Sequence, residues 1–374
     1  MHLGGLSVER RPDPPLGWVL LVSVLAIAGA LVLAGLIFWG YGVNPFQAYA
    51  TIARDTLGDP QTLPEILRPG IPLLLIGVGL VLAFRAQFYN IGGEGQLLAG
   101  TAGATWVALF SPVHGPWAIP AMFLGGALAG AAWGVLPTLL KLRLKVNEVI
   151  TTLMMNYVAI FSVQWLIYGP WKGPSVRGFP YTDEFPDAAQ LPLIPGTPIH
   201  WPTLLIGVLA AAALSFMLAR TKLGFEIRVQ GQNPTAARYA GISPFRTVFV
   251  VMLIAGGLAG IAGAGEVGGI HHRLMDPGQV SQGYGYAAII VAWLARGSPL
   301  AAILTAMFLG AVYSAGEVMK ATLQMPARVT DVFNGLILFC LIGSERLLYY
   351  RLRWRAPRMA PGEIAAPTGE PQKS

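Results

Sequence analysis

The sequence predicts an all-α polytopic membrane protein of about ten transmembrane helices, on three observations. Of the 374 residues, 54% are hydrophobic and only 11% are charged, against roughly 25% charge in soluble domains. A bilayer solvates apolar side chains directly, and runs of about 20 apolar residues, enough to cross it, recur along the chain. The basic residues fall mostly between those runs, unequally on alternate sides.

Ten segments qualify as spans: 17–39, 66–84, 91–110, 117–140, 149–168, 201–219, 245–265, 284–296, 299–319 and 329–349. Residues 1–16 form a short N-terminal segment. Arg10 and Arg11 precede a first run that is too long for a signal-peptide core of about 7–15 residues, and no small-residue cleavage site follows. It reads as an uncleaved span. The eighth segment is short and begins in a glycine-rich stretch, so nine spans is the alternative count. The transmembrane domain covers 17–349. Residues 350–374, rich in Pro, Ala and Gly, read as a disordered cytoplasmic tail.

Ten spans put both termini on one side. Of the 25 Lys and Arg residues, 18 fall on the side that holds the termini and the 141–145 and 220–246 connections. The opposite side holds seven, including Arg54, Arg68, Lys172, Arg177, Arg273, Lys320 and Arg328. Basic residues stay in the cytoplasm during insertion, so the termini are expected inside. The net charge of +7 is then an orientation signal facing membrane lipid, and no nucleic-acid partner is expected. The exterior carries two longer connections, 40–64 and 169–200, rich in Pro, Gly and Trp. Their prolines argue against regular structure over most of the second. It reads as a surface cover or as a docking surface for an external partner. The lone cysteine, Cys340, excludes an internal disulfide and reads as a small apolar residue of the last span.

Broken helices are tolerated at membrane depth only against protein or water-filled cavities. Most of the 46 glycines read as close-packing positions, such as Gly256, Gly260 and Gly263 on one face and Gly126 with Gly130. The run Asn90-Ile91-Gly92-Gly93-Glu94-Gly95-Gln96 differs, because three glycines surround a carboxylate at the inner end of a span. Ionisable groups in spans are costly and usually face a cavity. The run reads as an unwound stretch lining a solute path, or as a turn with Glu94 in water. A second Gly-Glu run, Gly265 to Arg273, lies at the outer end of the seventh span. Its adjacent His271 and His272 point about 100° apart on a helix and are poorly placed to share one metal ion. No metal and no cofactor are expected. Two Gly-Glu runs on opposite faces suit an inverted repeat of spans 2–5 and 7–10.

The connection 220–244 contains a complete short-helix grammar. Asn233 is a cap, Pro234 suits the first helical position, and Gly241 supplies a left-handed stop. Ser243-Pro244 opens the next span in the same way. The result is a short amphipathic helix at the inner face, either a lever gripped by a soluble subunit or a plain interfacial helix.

Three segments together resemble a known family. Phe88 to Gln96 is similar to the FNIG-EGQ signature of nucleoside-type ABC permeases, part of the group that includes ribose and branched-chain amino-acid permeases. Asn147-Glu148-Val149-Ile150-Thr151-Thr152-Leu153-Met154-Met155-Asn156-Tyr157 resembles its NEVI-TLM-NY segment, and Gly231 to Ile242 its cytoplasmic coupling segment. The likeness runs from about 65 to 345. It implies about ten helices, a second permease subunit, most simply in a heterodimer, two cytoplasmic ATP-binding subunits and an extracytoplasmic solute-binding lipoprotein. It also makes Asn90, Glu94, Gln96, Asn147, Glu148 and Asn156 candidates for a solute path or gate, with capping the alternative role for Asn147 and Glu148. Asn233, Pro234, Ala237, Arg238, Tyr239 and Gly241 become the coupling helix in the same way.

The chain has no Gly-x-x-x-x-Gly-Lys-Ser/Thr phosphate loop, so the ATPase must be a separate subunit. No catalytic residue is expected. A serine–histidine enzyme would need a histidine inside a span, whereas His114, His200, His271 and His272 fall in loops or at span ends. The expectation is an importer subunit of the inner membrane that moves a small polar solute, a nucleoside first, by alternating access. A sugar or branched-chain amino-acid permease is the alternative, and an ion-coupled transporter relying on Glu94 or Glu317 a more distant one.

Overall fold

In the computed structural model, residues 16–57, 62–176 and 178–326 are described continuously, together with 2–3, 6–10, 350–354 and scattered positions between 329 and 344. Arg177, Arg328 and the tail 355–374 lie outside the described residues. The chain divides into two compact units, one of residues 1–40 with 335–374 and one of residues 41–334.

The first unit holds the apolar helix α1 (Leu16–Gly40). It also holds three short antiparallel strands, β1 (His2–Leu3), β2 (Leu6–Arg10) and β3 (Tyr350–Trp354), in the order β1-β2-β3. Residues 350–354 therefore depart from the expected disordered tail: their backbone groups pair with 6–10, register Leu6 with Trp354. A strand of alternating Arg and apolar residues has the period that suits a ladder, and its partner lies more than 300 residues away, where no local signal reaches.

The second unit is helical. Helix α2 (Pro45–Leu57) lies within the 40–64 connection, for which no helix was expected. Its start repeats the cap-plus-proline grammar, with Asn44 Oδ1 accepting from the backbone N–H of Phe46 at 2.9 Å. The long helices are α3 (Leu63–Arg85), α4 (Gly93–Phe110), α5 (Ala118–Leu144), α6 (Glu148–Tyr168) and α7 (Trp201–Arg220). The 220–244 connection contains two helices rather than one, α8 (Lys222–Gln232) and α9 (Pro234–Tyr239). Gly224 and Gly231 weaken the helical signal of α8. They are there because a methyl group on Gly224 would overlap the Met217 carbonyl, and one on Gly231 the Arg85 carbonyl. Helix α10 (Pro244–Glu266) runs into a π-turn, Val267–His271. Short α11 (Pro277–Ser281) and α12 (Tyr284–Leu294) and the long α13 (Ala301–Ala321) follow.

Six helical stretches are long and apolar enough to cross a bilayer, or seven if Val24–Gly40 and Pro45–Thr56 make one broken span. The third and eighth expected spans, now α4 and α12, are not among the six. At 1.5 Å per residue the 11 residues of α12 rise about 16 Å, half the roughly 30 Å hydrocarbon core. The tenth expected span, 329–349, is described at scattered positions only, all helical up to residue 344.

Helix α3 is the axis of this unit. It is apolar and buried at every position from Pro69 to Ala83, whereas α5, α6 and α7 bury only about a quarter of their apolar positions. A helix apolar on every side belongs in a core, and one buried on a single stripe faces lipid with the rest. Helices α10, α12 and α13 pack around α3. Beside it α4, α5 and α10 meet through glycines. A methyl on Gly100 would overlap Gly260, one on Gly260 the Gly126 carbonyl, and one on Gly130 the Gly256 carbonyl. Lipid is as apolar as leucine, so close backbone approach and dispersion hold these helices together. Gly257, next in the chain to Gly256, has only the Ala127 carbonyl at 3.7 Å. Overpacking costs about 1–3 kcal/mol or more. Gly260→Ala is therefore expected to lower the detergent-solubilised melting temperature and Gly257→Ala to leave it unchanged, as read by fluorescence-detected size exclusion after heating.

Candidate functional site

The segment from Asn90 to Gln96 is a short break between α3 and α4, and its polar groups are used within the protein. Gln87, in the left-handed region at φ 58°, turns the chain off α3. Asn90 then closes the loop: its Oδ1 accepts from the Gly92 N–H at 2.8 Å, and its Nδ2 donates to Gln96 Oε1 at 3.0 Å. Asn156 of α6 reaches across. Its Oδ1 accepts from the Gly95 N–H at 2.8 Å and its Nδ2 donates to the Ile91 carbonyl at 2.9 Å. One residue therefore satisfies an orphan N–H of the first turn of α4 and a loop carbonyl together. Asn90, Gln96 and Asn156 are all buried, and a buried amide must find partners of this kind. The glycines are needed for the approach: Gly93 lies on Gly285, and Gly95 on Asn156 and Trp133.

Glu94 joins two helix starts. Its Oε2 accepts from the N–H of Gly285, in the first turn of α12, at 2.9 Å. A carboxylate between the N-termini of α4 and α12 sits where both helix dipoles are positive. Glu94 is 3% exposed, so this is an internal staple between two short helices. Asn90, Glu94, Gln96 and Asn156 all bond to groups of the protein itself, and Glu94 is buried rather than in water as the turn reading had it.

The second segment divides by side chain. Asn147 caps α6, accepting from the Val149 N–H at 2.9 Å. Glu148 is buried and forms an ion pair with Lys141 at 2.5 Å. Thr152, one turn on from Glu148 and one before Asn156, accepts from the Ile91 N–H at 3.1 Å. The i, i+4, i+8 spacing of Glu148, Thr152 and Asn156 puts all three on one buried face. Thr152 was legible from that period, whereas Gly285, 191 residues from Glu94, had no local signal.

The 233–241 segment is a separate place. Asn233 Oδ1 accepts from the Thr235 and Ala236 N–H groups, each at 3.0 Å. Pro234 holds the first helical position, and Gly241, at φ +75°, ends the helix. Ala237 is fully buried, whereas Arg238 is exposed and Tyr239 is 89% exposed. The small residue thus seats α9 against α8 and α10, and the large ones face away. A cleft of about 710 Å³ runs beside it, lined by Pro234 and Arg238, by Gln87 and Phe88, and by Lys141, Asn147 and Glu148. Residues of all three sequence segments therefore reach one end of the bundle.

The 169–200 connection closes the opposite end. It docks on the π-turn and the residues after it through Leu191 N–H to Gly268 carbonyl at 2.8 Å, Phe185 N–H to His272 carbonyl at 2.8 Å and Thr182 N–H to Leu274 carbonyl at 3.0 Å. Among the described residues no group of three His, Cys, Asp or Glu side chains is placed to hold a metal ion.

Residues 62–342 match the family described as "Branched-chain amino acid transport system / permease component". The chain is similar to the glucose ABC transporter permease protein TsgB13 of Haloferax volcanii, at 33% identity over 93% of this chain and 94% of that one. It is similar to the guanosine ABC transporter permease protein NupP of Bacillus subtilis, at 31% over 88% and 95%. It is likewise similar to the nucleoside ABC transporter permease protein NupB of Lactococcus lactis, at 30% over 85% and 89%. No solved structure matches. The buried polar breaks, the apolar helices and these likenesses lead to one conclusion: the chain belongs to the permease-component family of ABC transport systems and is a membrane-embedded transport subunit.

Proposed function

We propose that this chain is the translocating subunit of an ATP-driven importer for a nucleoside. The observation that carries the coupling is α9, a short, capped helix that buries Ala237 and presents Arg238 and Tyr239 outward. Arg and Tyr are the residue types that dominate binding hot spots. Arg85, Lys141, Arg143, Lys145 and the basic residues of α8 and α9 share the end of the bundle where α9 lies. That bias supports a cytoplasmic location for this end. Ten spans, both termini inside, and a repeat relating spans 2–5 to 7–10 complete the topology. Separate ATP-binding subunits would grip α9, a second permease subunit would complete the path, and an external lipoprotein would deliver solute onto the face covered by 169–200.

In the proposed mechanism ATP closes the ATPases, the two α9 helices are displaced, and the bundle rocks about α3. The staple at Glu94 makes α4 and α12 move as one body during that rocking, so Asn90, Gln96 and Asn156 act as a gate hinge beside the path. Asn147 and Glu148 with Lys141 fix the start of α6 next to it. The nucleoside assignment is supported by the names of NupP and NupB. The name of TsgB13 favours a simple sugar as the second reading. Both solutes are neutral, hydroxyl-rich rings.

The decisive experiment is uptake of labelled guanosine and labelled glucose into vesicles bearing the complete transporter, with ATP present and ion gradients collapsed. Guanosine uptake that survives collapse is the expected result, and uptake abolished by ionophores would convert the reading to ion coupling. Replacing Arg238 by Glu should reduce co-purification of the ATPase about tenfold, the effect of roughly 1.4 kcal/mol, with normal amounts of permease in the membrane. Glu94→Ala removes a charge-assisted bond of about 1.5–3 kcal/mol, so uptake should fall at least about tenfold while insertion is unchanged. Glu94→Gln, which keeps an acceptor for the Gly285 N–H, should retain more activity than the alanine variant.

A further inference from the structure

At the end of the unit opposite α9, a cavity of about 270 Å³ lies between the start of α3, the Gln282–Tyr284 turn and the end of α13. Ligand pockets run roughly 300–1,000 Å³, so this one suits a compact solute of nucleoside or sugar size and not a peptide. Several polar side chains are set into its largely apolar walls: Glu65 and Arg68 from α3, Gln282 and Tyr284 from the turn, Tyr313 and Glu317 from α13. The two tyrosine rings lie 5.3 Å apart. Gln282 stands in the left-handed region at φ 44°, followed by Gly283 at φ 75°. The Tyr284 hydroxyl meets Gln282 Oε1 at 3.3 Å, and the Tyr313 hydroxyl donates to the Gln282 carbonyl at 3.4 Å. A non-glycine residue held there by two aromatic hydroxyls is backbone strain kept in place by its surroundings, as found at binding sites.

A second observation points the same way. Behind the cavity lies a group of buried polar atoms with no hydrogen-bond partner among the described residues. They include both carboxylate oxygens of Glu266, both ring nitrogens of His200, Thr203 Oγ1 and Arg68 Nε. Glu266 and His200 are wholly buried. The Arg68 guanidinium acts electrostatically on Glu266, His200 and Tyr284 alike, so it ties the buried group to the cavity it lines. Burial, with Arg68 nearby, pushes His200 down to about 4, so this ring is neutral at pH 7. Native proteins satisfy nearly all buried polar groups, and ionisable residues at membrane depth mark solute pathways by default.

We propose that this cavity is the entry site for the transported solute and that it takes a neutral ring bearing adjacent hydroxyls. Glu65 accepts from one hydroxyl, Arg68 donates to its neighbour, and Tyr284 with Tyr313 lies against the ring face. Asp55, Glu65 and Glu317 outnumber Arg68, with Glu317 shared with Lys320 at 2.8 Å. An anionic solute such as a nucleotide is repelled by that balance, whereas a nucleoside or a hexose is not. The proposal rests on the import reading above and adds where the solute first binds and why it must be uncharged.

The test uses the full transporter in intact cells, with Cys340→Ala as background and a single new cysteine at the cavity wall, Val318→Cys. Ser314→Cys serves as a second reporter, and size exclusion shows which variant folds. Labelling with a membrane-impermeant cationic methanethiosulfonate is followed with guanosine, glucose or guanosine monophosphate present. The new cysteine should react from outside. Guanosine or glucose should slow the reaction about tenfold at roughly ten times its dissociation constant, the factor set by occupancy, and the monophosphate should not slow it. Slowing by guanosine alone identifies a nucleoside, and slowing by glucose alone a sugar. A folded reporter that does not react, or that no solute protects, overturns the site, as does equal protection by the monophosphate. ATP-driven uptake measured in the same membranes separates the two readings. Uptake without protection removes the site and leaves the importer. Protection without ATP-driven uptake keeps the site and removes the importer.

Discussion

One buried carboxylate joins two helix starts in the interior of this permease. Glu94 stands between the first turns of α4 and α12, accepts from the Gly285 N–H, and is shielded from solvent. Within a bilayer an unpaired charge or an orphan N–H has no water to turn to, and each costs several kcal/mol. Helices that begin at membrane depth therefore need internal partners for their first N–H groups. Glu94 serves α12, and Asn156 serves α4 through Gly95. The short length of α12 is tolerated because its start is satisfied in this way. The glycines at 93, 95 and 285 are the steric condition for the same contact, since a methyl group at any of them would meet its neighbour's atoms.

The bundle around this staple is held by a different force. Helix α3 is buried on every side, and α4, α5 and α10 meet backbone to backbone through Gly100, Gly126, Gly130, Gly256 and Gly260. Lipid offers no hydrophobic drive to bring helices together, so packing density at these contacts supplies the attraction. Helices α5, α6 and α7 leave most of their apolar surface uncovered within this chain, for lipid or a partner subunit to cover.

The two ends of the unit are built for different tasks. At one, α8 and α9 form a compact, basic pair in which Ala237 seats the helix and Arg238 and Tyr239 are displayed. At the other, the 169–200 segment lies on the π-turn through backbone hydrogen bonds. Its prolines do not prevent order, because the order is borrowed from α10 and the residues after it and needs no repeat of its own. The same segment ends at His200, beside Gly269 and near the buried Glu266. Buried polar groups thus lie at this end as well as at the end that carries α9, and α3 runs between them.

The sequence by itself determined the membrane class, most of the long helices, the short helix at 234–239 with its caps, and the family. Each of these is written locally: in apolar run length, in Asn-Pro and Ser-Pro starts, in glycine stops, and in contiguous motifs. The same grammar at Asn44-Pro45 announced α2, but its surroundings of Pro, Gly and Trp obscured it. Only the tertiary structure decided what Glu94, Gln96 and Asn156 bond to, why Gly224 and Gly231 sit inside a helix, and that Tyr350–Trp354 joins a strand from the other terminus. It also brought Arg68, Tyr284 and Tyr313 to one cavity. These are pairings between residues far apart in the chain, and a hydrogen bond or a close backbone approach carries no trace in the sequence near either partner. Composition announces that a buried polar group must be satisfied, and the fold alone chooses by whom.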